Sequence, residues 1–279
     1  MDEKEQQIYN ENLEIRLLLE AIYQKYGYDF RNYAGAHTKR RLKHRKTVSA
    51  LRNYSEMLHR IIYDEEYFNS VLLDLSINVT EMFRDPWFYR EVREIVVPHL
   101  QTYPFIKVWH AGCSAGQEVY SMAILLEEEG MKDRTQMYAT DFNEPILARA
   151  KKGIYPLDAV RQYTLNYIES GGKESFSDYY TADDRHVILK SSLREKVLFS
   201  SHNLATDGVF GEMNVVFCRN VLIYFNKELQ ERVLRLFYDS LCPGGFLCLG
   251  SKESLSFTGF VDKFEIVAAR EKIYRKRRS

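Results

Sequence analysis

Val108-Trp109-His110-Ala111-Gly112-Cys113-Ser114-Ala115-Gly116-Gln117-Glu118 is the stretch that decides the fold. An apolar run enters a loop of small residues and a helical pattern leaves it, which reads as strand, tight turn, helix. Gly112 and Gly116 let the backbone pass close to a ligand, and the start of the helix offers N–H groups without intrahelical partners. The spacing is G-x-x-x-G. It is neither the G-x-G-x-x-G of dinucleotide binders nor the G-x-x-x-x-G-K-[ST] of triphosphate binders. With no lysine after the second glycine, the loop suits a ligand with an amino acid moiety and an adenosine better than a phosphate chain. Taken alone, a plain strand–helix turn explains these residues as well.

Downstream the same rhythm repeats. Short apolar runs at Ile106–Trp109, Met137–Ala139, Val197–Ser200, Val215–Phe217 and Phe246–Leu249 end in loops, and helical patterns at Glu118–Glu129, Glu144–Lys152 and Lys227–Leu241 lie between several of them. Asn226 is the N-cap expected for the last of these, and Pro243-Gly244-Gly245 is expected to stop it and turn into the next strand. Such alternation implies a mainly parallel sheet with helices on both faces. Phe264–Ala268 and Lys272–Tyr274 read as a closing antiparallel pair. The stretch from Pro156 to about Lys196 is too long for a crossover, and its strand candidates Phe176–Tyr180 and His186–Leu189 suggest an inserted β-subdomain at about 157–196. Upstream, Leu13, Leu17, Leu18, Ala21 and Ile22 share a helical face, as do Met57, Leu58, Ile61 and Ile62, with no proline before Pro86. The expected architecture is a helical domain at 1–75 and a Rossmann-like α/β domain at 76–279, its sheet mostly parallel.

In an open α/β sheet, ligands bind beyond the carboxyl ends of the strands. Three more segments deserve reading on that rule. Asp141, ending Tyr138-Ala139-Thr140-Asp141, can accept both hydrogen bonds from a ribose diol, or cap the helix that follows. The buried run Val216-Phe217-Cys218 leads into Arg219-Asn220, a polar pair that is costly unless it meets a ligand or a salt bridge, and Tyr224 follows closely. Asn78, Thr80 and Arg84 lie in Ser76–Pro86, a loop before a helix that also reads as a linker.

The bulk numbers exclude more than they specify. The 39 basic and 39 acidic residues cancel, so any electrostatic steering comes from local patches. No stretch approaches the ~18 apolar residues of a membrane span, and the charged N-terminus lacks a signal core, so a cytoplasmic protein is expected. Cys113, Cys218, Cys242 and Cys248 form no C-x-x-C pair, which disfavours zinc, and no metal is expected. The one marked charge cluster is His37-Thr38-Lys39-Arg40-Arg41-Leu42-Lys43-His44-Arg45-Lys46, which reads as a solvated helix face or as a basic run of the kind that binds nucleic acid.

Together these segments resemble the chemotaxis receptor methyltransferase family, CheR. The resemblance rests on Asn78–Arg84, Ala111–Ser121, Ala139-Thr140-Asp141 with Gly153-Ile154-Tyr155, Phe217–Phe225, and Gly244-Gly245 through Glu253, in the family's order over nearly the whole chain. It implies a site for S-adenosylmethionine, with S-adenosylhomocysteine as product, lined by Asn78, Thr80, Arg84, Glu118, Asp141, Asn203, Leu204, Arg219 and Asn220 beside the Gly112 loop. Gln117, Val119, Met82 and Phe142-Asn143 depart from the family pattern.

The implied reaction is methyl transfer to glutamate carboxylates of chemoreceptors. A glutamate side chain, with an unperturbed pKa near ~4.3, is already an anion at neutral pH, so no general base is needed. The catalytic candidates are therefore orienting groups, Arg84 and Tyr224. Either Arg84 or Arg219 is suited to hold the cofactor carboxylate or the incoming one. The resemblance makes Lys39, Arg40, Arg41, Lys43 and Arg45 a docking strip for acidic cytoplasmic methylation helices of receptors; no nucleic acid partner and no membrane insertion are expected. The insertion's turn Thr181-Ala182-Asp183-Asp184 lacks the glycine of members that grip a receptor tail peptide, which favours a tail-independent enzyme. Rival readings are a methyltransferase of the same fold acting on a small molecule and a non-catalytic adaptor that senses the cofactor.

Overall fold

Four helices open the chain: α1 (Glu3–Tyr26), α2 (Gly35–Val48), α3 (Tyr54–Tyr63) and α4 (Glu65–Leu75). The computed structural model describes residues 2–76, 80–256 and 258–278, so Asn78 lies outside the described residues. Local chemistry sets the helix ends. Asp2 and Glu5 form a reciprocal capping box at the start of α1, Gly27 ends it at φ 77°, and Asn53 and Asp64 cap α3 and α4. Leu18, Ile22, Leu42, Met57, Ile61 and Val71 are fully buried and form the core of this unit. Each such side chain contributes about 1.5–3 kcal/mol on burial.

That unit also contains a distant stretch of chain, because residues 223–232 belong with Met1–Ile77. The Ala34 N–H donates to the Tyr224 carbonyl at 2.7 Å, the Asn226 N–H donates to the Asn32 carbonyl at 2.9 Å, and Tyr33 bridges Phe225. No periodicity within the first 75 residues reveals this, since the partner arrives from far along the chain.

The second unit spans Asn78–Leu222 and Val233–Ser279. Its elements are α5 (Pro86–Glu91), a π-helical turn Val92–Val96, α6 (Val97–Leu100), β1 (Ile106–Ala111), α7 (Gln117–Glu128), β2 (Thr135–Asp141), α8 (Glu144–Lys152), β3 (Ile154–Pro156), α9 (Val160–Glu169), β4 (Tyr180–Ala182), β5 (His186–Leu189), α10 (Ser191–Arg194), β6 (Val197–Ser201), β7 (Met213–Cys218), α11 (Lys227–Ser240), β8 (Leu241–Leu249), β9 (Phe264–Ala268) and β10 (Ile273–Lys276). α11 begins within the stretch counted with the first unit. Asn226 caps it, its side chain accepting from the Leu229 N–H at 2.9 Å.

The main sheet runs β6-β2-β1-β7-β8-β10-β9, with β6, β2, β1, β7 and β8 parallel and β10 antiparallel to both its neighbours. β1 and β7 are buried along most of their length, as expected of strands covered on both faces. From β1 the chain moves outward to β2 and β6, then returns to place β7 on the other side of β1. The order therefore reverses between β1 and β7, where open α/β sheets bind their ligands.

Two expectations need correction. Phe176–Tyr180 is not a strand: Phe176–Tyr179 is a 3-10 turn, and only Tyr180 enters β4. Phe176 and Tyr179 are both buried, and a spacing of three brings them to the same side of a turn, whereas a strand would alternate them. Pro243-Gly244-Gly245 does not stop a helix either. β8 starts at Leu241, and the three residues lie within it where its register jumps from Met213↔Leu241 to Val215↔Phe246. Gly244 takes φ 81° at this bulge, a conformation that favours glycine. The insertion begins earlier than expected: β4 and β5 join β3, which precedes residue 157, in a second sheet of order β3-β5-β4, antiparallel throughout.

Candidate functional site at the carboxyl edge of the parallel strands

The loop after β1 folds back onto β2. The Gly112 and Cys113 N–H groups donate to the Thr140 carbonyl at 2.8 and 2.9 Å. Gly112 has φ 75°, and a Cβ there would lie 2.7 Å from a Val221 methyl, so this glycine also lets the loop after β7 approach. Asp141 receives the Ser114 N–H on Oδ2 at 2.9 Å and the Asn143 N–H on Oδ1 at 3.0 Å. It is 7% exposed and enters no ion pair among the described residues. Burial raises its pKa, and the backbone N–H donors only partly counter that. The N-cap of α8 is Asn143, whose side chain accepts from the Ile146 N–H. Asp141 is thus released from capping, and each carboxylate oxygen keeps acceptor capacity.

β6 ends beside it. The His202 N–H donates to the Asp141 carbonyl at 3.2 Å, which brings Asn203 and buried Leu204 to the same edge. The Asn203 side chain accepts from the Ala205 N–H and so shapes a tight turn. Gln117 and Glu118 open α7, and Glu118 in its first turn is favoured by the helix dipole.

Glu118 belongs to a buried charge network: the salt bridge that is one of two readings of Arg219 is present, with partners the sequence does not name. His110 Nδ1 is 3.0 Å from Glu118 Oε1, and the His110 ring stacks on Phe217 at 4.7 Å. Arg219 reaches Glu118 Oε2 at 3.4 Å and Asp85 Oδ2 at 2.7 Å, donates to the Arg84 carbonyl, and lies 3.9 Å from the Phe88 ring centroid. Burial alone would raise the Glu118 carboxyl, but the His110 hydrogen bond and the Arg219 charge outweigh it and hold the carboxyl below its ordinary value. Burial likewise opposes the charge on Arg219, and Glu118 and Asp85 more than offset that. Arg219 therefore holds protein carboxylates, where the sequence had left it a candidate for a ligand carboxylate.

Arg84 sits between two strained residues, Phe83 at φ 51° and Asp85 at φ 58°. Ser114 and Asn220 are also left-handed, so four of the six non-glycine residues with positive φ among those described lie in these loops. Each costs of order 1–3 kcal/mol, and such residues persist where their surroundings over-determine them, often at functional sites. Asn220 is held by Glu253, whose Oε2 accepts the Asn220 and Gly250 N–H groups at 3.0 and 2.6 Å. A Cβ on Gly250 would meet the Asn220 nitrogen at 2.7 Å, which explains a glycine there. Thr80 is half-buried at the start of the Arg84 segment.

Gly112, Glu118, Asp141, Asn203, Leu204, Arg219, Asn220 and Arg84 thus stand on connected loops at one edge of the second unit's sheet. Tyr224 belongs to the first unit. There it shares a pocket with Tyr33, His37, Thr38, Arg41 and Leu75, and the Arg41 Nε lining that pocket is buried without a hydrogen-bond partner. The basic strip divides. Lys39 pairs with Glu11 at 2.8 Å and Arg45 with Asp74 at 2.6 Å, while Arg40 and Lys43 are exposed. Among the described residues no cluster of His, Cys, Asp and Glu could hold a metal, and no helix is long and apolar enough to cross a membrane. The four cysteines are buried and unbridged, and burial pushes the Cys113 and Cys218 thiols up, away from the reactive thiolate form.

Comparison with known proteins gives a consistent picture. A family model described as the CheR methyltransferase SAM-binding domain matches residues 78–273, and one described as the CheR methyltransferase all-alpha domain matches residues 13–76. The chain is 54% identical over 267 residues to a Pseudomonas putida protein named for methyltransferase activity, Cher3, covering 96% of this chain and 98% of the relative. It is 36% identical to a chemotaxis protein methyltransferase of Vibrio anguillarum, covering 69% and 70%, and 30% identical to chemotaxis protein methyltransferase 1 of Pseudomonas aeruginosa, covering 74% and 77%.

Proposed function

Since this chain belongs to the CheR methyltransferase family and S-adenosylmethionine is its cofactor, we propose that it methylates glutamate side chains of chemoreceptor cytoplasmic helices, forming methyl esters in chemotactic adaptation. The observation that carries the reading is Asp141: a buried carboxylate with backbone N–H donors, no cation within ion-pair distance among the described residues, and acceptor capacity left on both oxygens. An acceptor-only carboxylate with capacity left on both oxygens suits two ribose hydroxyls donating to it. Asn203 and Leu204 at the end of β6, Glu118 at the start of α7, and Arg84 and Asn220 complete the proposed cofactor site, with Asn78 and Thr80 on the segment leading to Arg84.

The cofactor supplies an electrophilic methyl on a sulfonium, already a good leaving group. A glutamate oxygen forms a bond to the methyl carbon as the carbon–sulfur bond breaks, the electron pair goes to sulfur, and no proton moves. The protein's task is to align the reactants and exclude water, which can supply up to about 7–11 kcal/mol in favourable cases. Arg84 and Tyr224 are the proposed orienting groups. An acceptor that needs no deprotonation calls for no Cys–His or Ser–His pair.

The proposed docking surface is α2. Arg40 and Lys43 are exposed and among the described residues enter no ion pair, and Arg41 lines a pocket with Tyr224 that suits an acidic side chain. Lys39 and Arg45 contribute less, since carboxylates of their own unit already hold them. The decisive test is transfer of radiolabelled methyl from S-adenosylmethionine to chemoreceptor cytoplasmic fragments, with release of the label by base. Label that resists base, or none on any receptor fragment, overturns the reading.

A further inference from the structure

We propose that Asn166, on the inserted helix α9, is a positioning residue for Arg84. This rests on the reading above that Arg84 lines the cofactor site. The segment around Arg84 carries two left-handed residues, Phe83 and Asp85, and its backbone is fastened from outside. The Ser121 hydroxyl on α7 accepts the Phe83 N–H at 2.8 Å, and Arg219 after β7 donates to the Arg84 carbonyl. Asn166 supplies a further attachment, donating from Nδ2 to the Met82 carbonyl at 3.0 Å and to Glu81 Oε2 at 3.3 Å.

The amide has one orientation open to it. Gln162 Nε2 donates to Asn166 Oδ1 at 2.8 Å, which turns the amide nitrogen towards Met82 and Glu81, and both of its hydrogens find acceptors. The residue is buried, and α9 is itself fixed because the next residue, Tyr167, donates from its hydroxyl to Glu128 on α7. Tyr155 of β3 adds a parallel brace, donating to the Ala115 carbonyl in the glycine loop at 2.8 Å. The insertion therefore touches both loops that frame the cofactor, whether or not it binds a receptor tail. Without the Asn166 donor, the Met82 carbonyl loses this partner and the strained pair at 83 and 85 loses a restraint from α9.

The test uses the full chain and calorimetric titration with S-adenosylhomocysteine. Asn166→Leu is expected to weaken binding by about five- to tenfold, the range of one or two lost hydrogen bonds. Asn166→Asp, which keeps the shape and loses the donors, is expected to do the same and serves if the leucine variant folds poorly. Asn166→Gln, retaining an amide donor, should recover to within about threefold of the parent. In an Arg84→Ala background, adding Asn166→Leu should cost nothing further, because the residue acts through Arg84. Unchanged affinity in Asn166→Leu overturns the proposal, as does a penalty of equal size with and without Arg84. Parent-like affinity in Arg84→Ala alone removes Arg84 from the cofactor site, and the role of Asn166 falls with it.

Discussion

The two ends of α7 carry similar chemistry put to different use. At its start, Glu118 meets His110 and Arg219, with Asp85 on the far side of the guanidinium. At its end, Glu128 accepts from Arg93, the Tyr167 hydroxyl, the Tyr179 hydroxyl at 2.9 Å and the Lys173 N–H at 3.0 Å, while Glu129 pairs with Arg93 and Lys173. A carboxylate in the first turn is favoured by the helix dipole and one in the last turn is disfavoured. Glu128 therefore needs its four donors to be stable where it is. Those donors tie α9 and the 3-10 turn to α7, a purely architectural task. Around Glu118 the backbone is strained and His110 Nε2 is a buried nitrogen without a hydrogen-bond partner. That end stores strain where ligand groups are expected; at the other end Glu128 takes four donors from the protein itself, although among the described residues Arg93 Nε is buried without a hydrogen-bond partner.

The largest effect should come from the architectural end. Glu128→Ala leaves Arg93 buried with one carboxylate fewer, and breaking a buried pair typically costs about 3–5 kcal/mol. Urea unfolding should show that loss, with S-adenosylhomocysteine affinity in the surviving folded protein within about threefold of the parent. A large affinity loss in that variant would erase the contrast. At the other end, Asp141→Ala should reverse the pattern. Losing two hydrogen bonds to a charged acceptor predicts roughly 3 kcal/mol, about a hundredfold in Kd, with little loss of stability because a desolvated carboxylate is removed.

Acid should separate both α7 carboxylates from Asp141. The Glu118 and Glu128 carboxyls are held below their ordinary 4.5, so the stability they contribute is complete above pH 4.5 and is lost as pH falls through their lowered values. Asp141 is raised above its ordinary 3.8, so its own linkage runs the other way, favouring the folded state at low pH and fading as pH rises through the raised value. Binding of ribose hydroxyls needs its anion, so cofactor affinity should weaken as pH falls through that raised value. Titrations of Asp141→Asn over the same range should show no such slope; an identical slope would assign it to another group. The smallest effect on the fold belongs to α2. Arg40→Glu with Lys43→Glu should change stability by less than about 0.5 kcal/mol, while raising KM for a receptor fragment several-fold at low salt and less at high salt. A salt-independent KM in the parent would discard the docking strip.

What could be read from the sequence was local. The strand–glycine–helix passage at 108–118, the Asn226 cap and the acid ending β2 each announce themselves within a few neighbours. His110, Asp85, Ser121 and Asn166 do not, because their partners are chosen by the tertiary fold, and Asn166 meets Met82 from 84 residues away. A histidine within an apolar run and a serine within a helix look ordinary until the sheet brings Glu118 and Phe83 to them. Phe176 and Tyr179 misled for a related reason: aromatic content suggested a strand, and their common burial made a turn. Arg219 itself was the legible hint of its network, since a charged residue ending a buried strand needs a ligand or a salt bridge.

The completion of the first unit by residues 223–232 has a consequence for how the chain is made. Between its two pieces lie residues 78–222, which is 222 − 78 + 1 = 145 residues that leave the ribosome before the second piece does. Until then the Ala34 N–H and the Asn32 carbonyl lack the backbone groups that finally pair with them. The four helices at the amino terminus can gather as soon as they emerge, but their final form waits on a stretch synthesised more than half a chain later. Excising the first 77 residues as an autonomous fragment therefore means excising them without one of their own strands of contact.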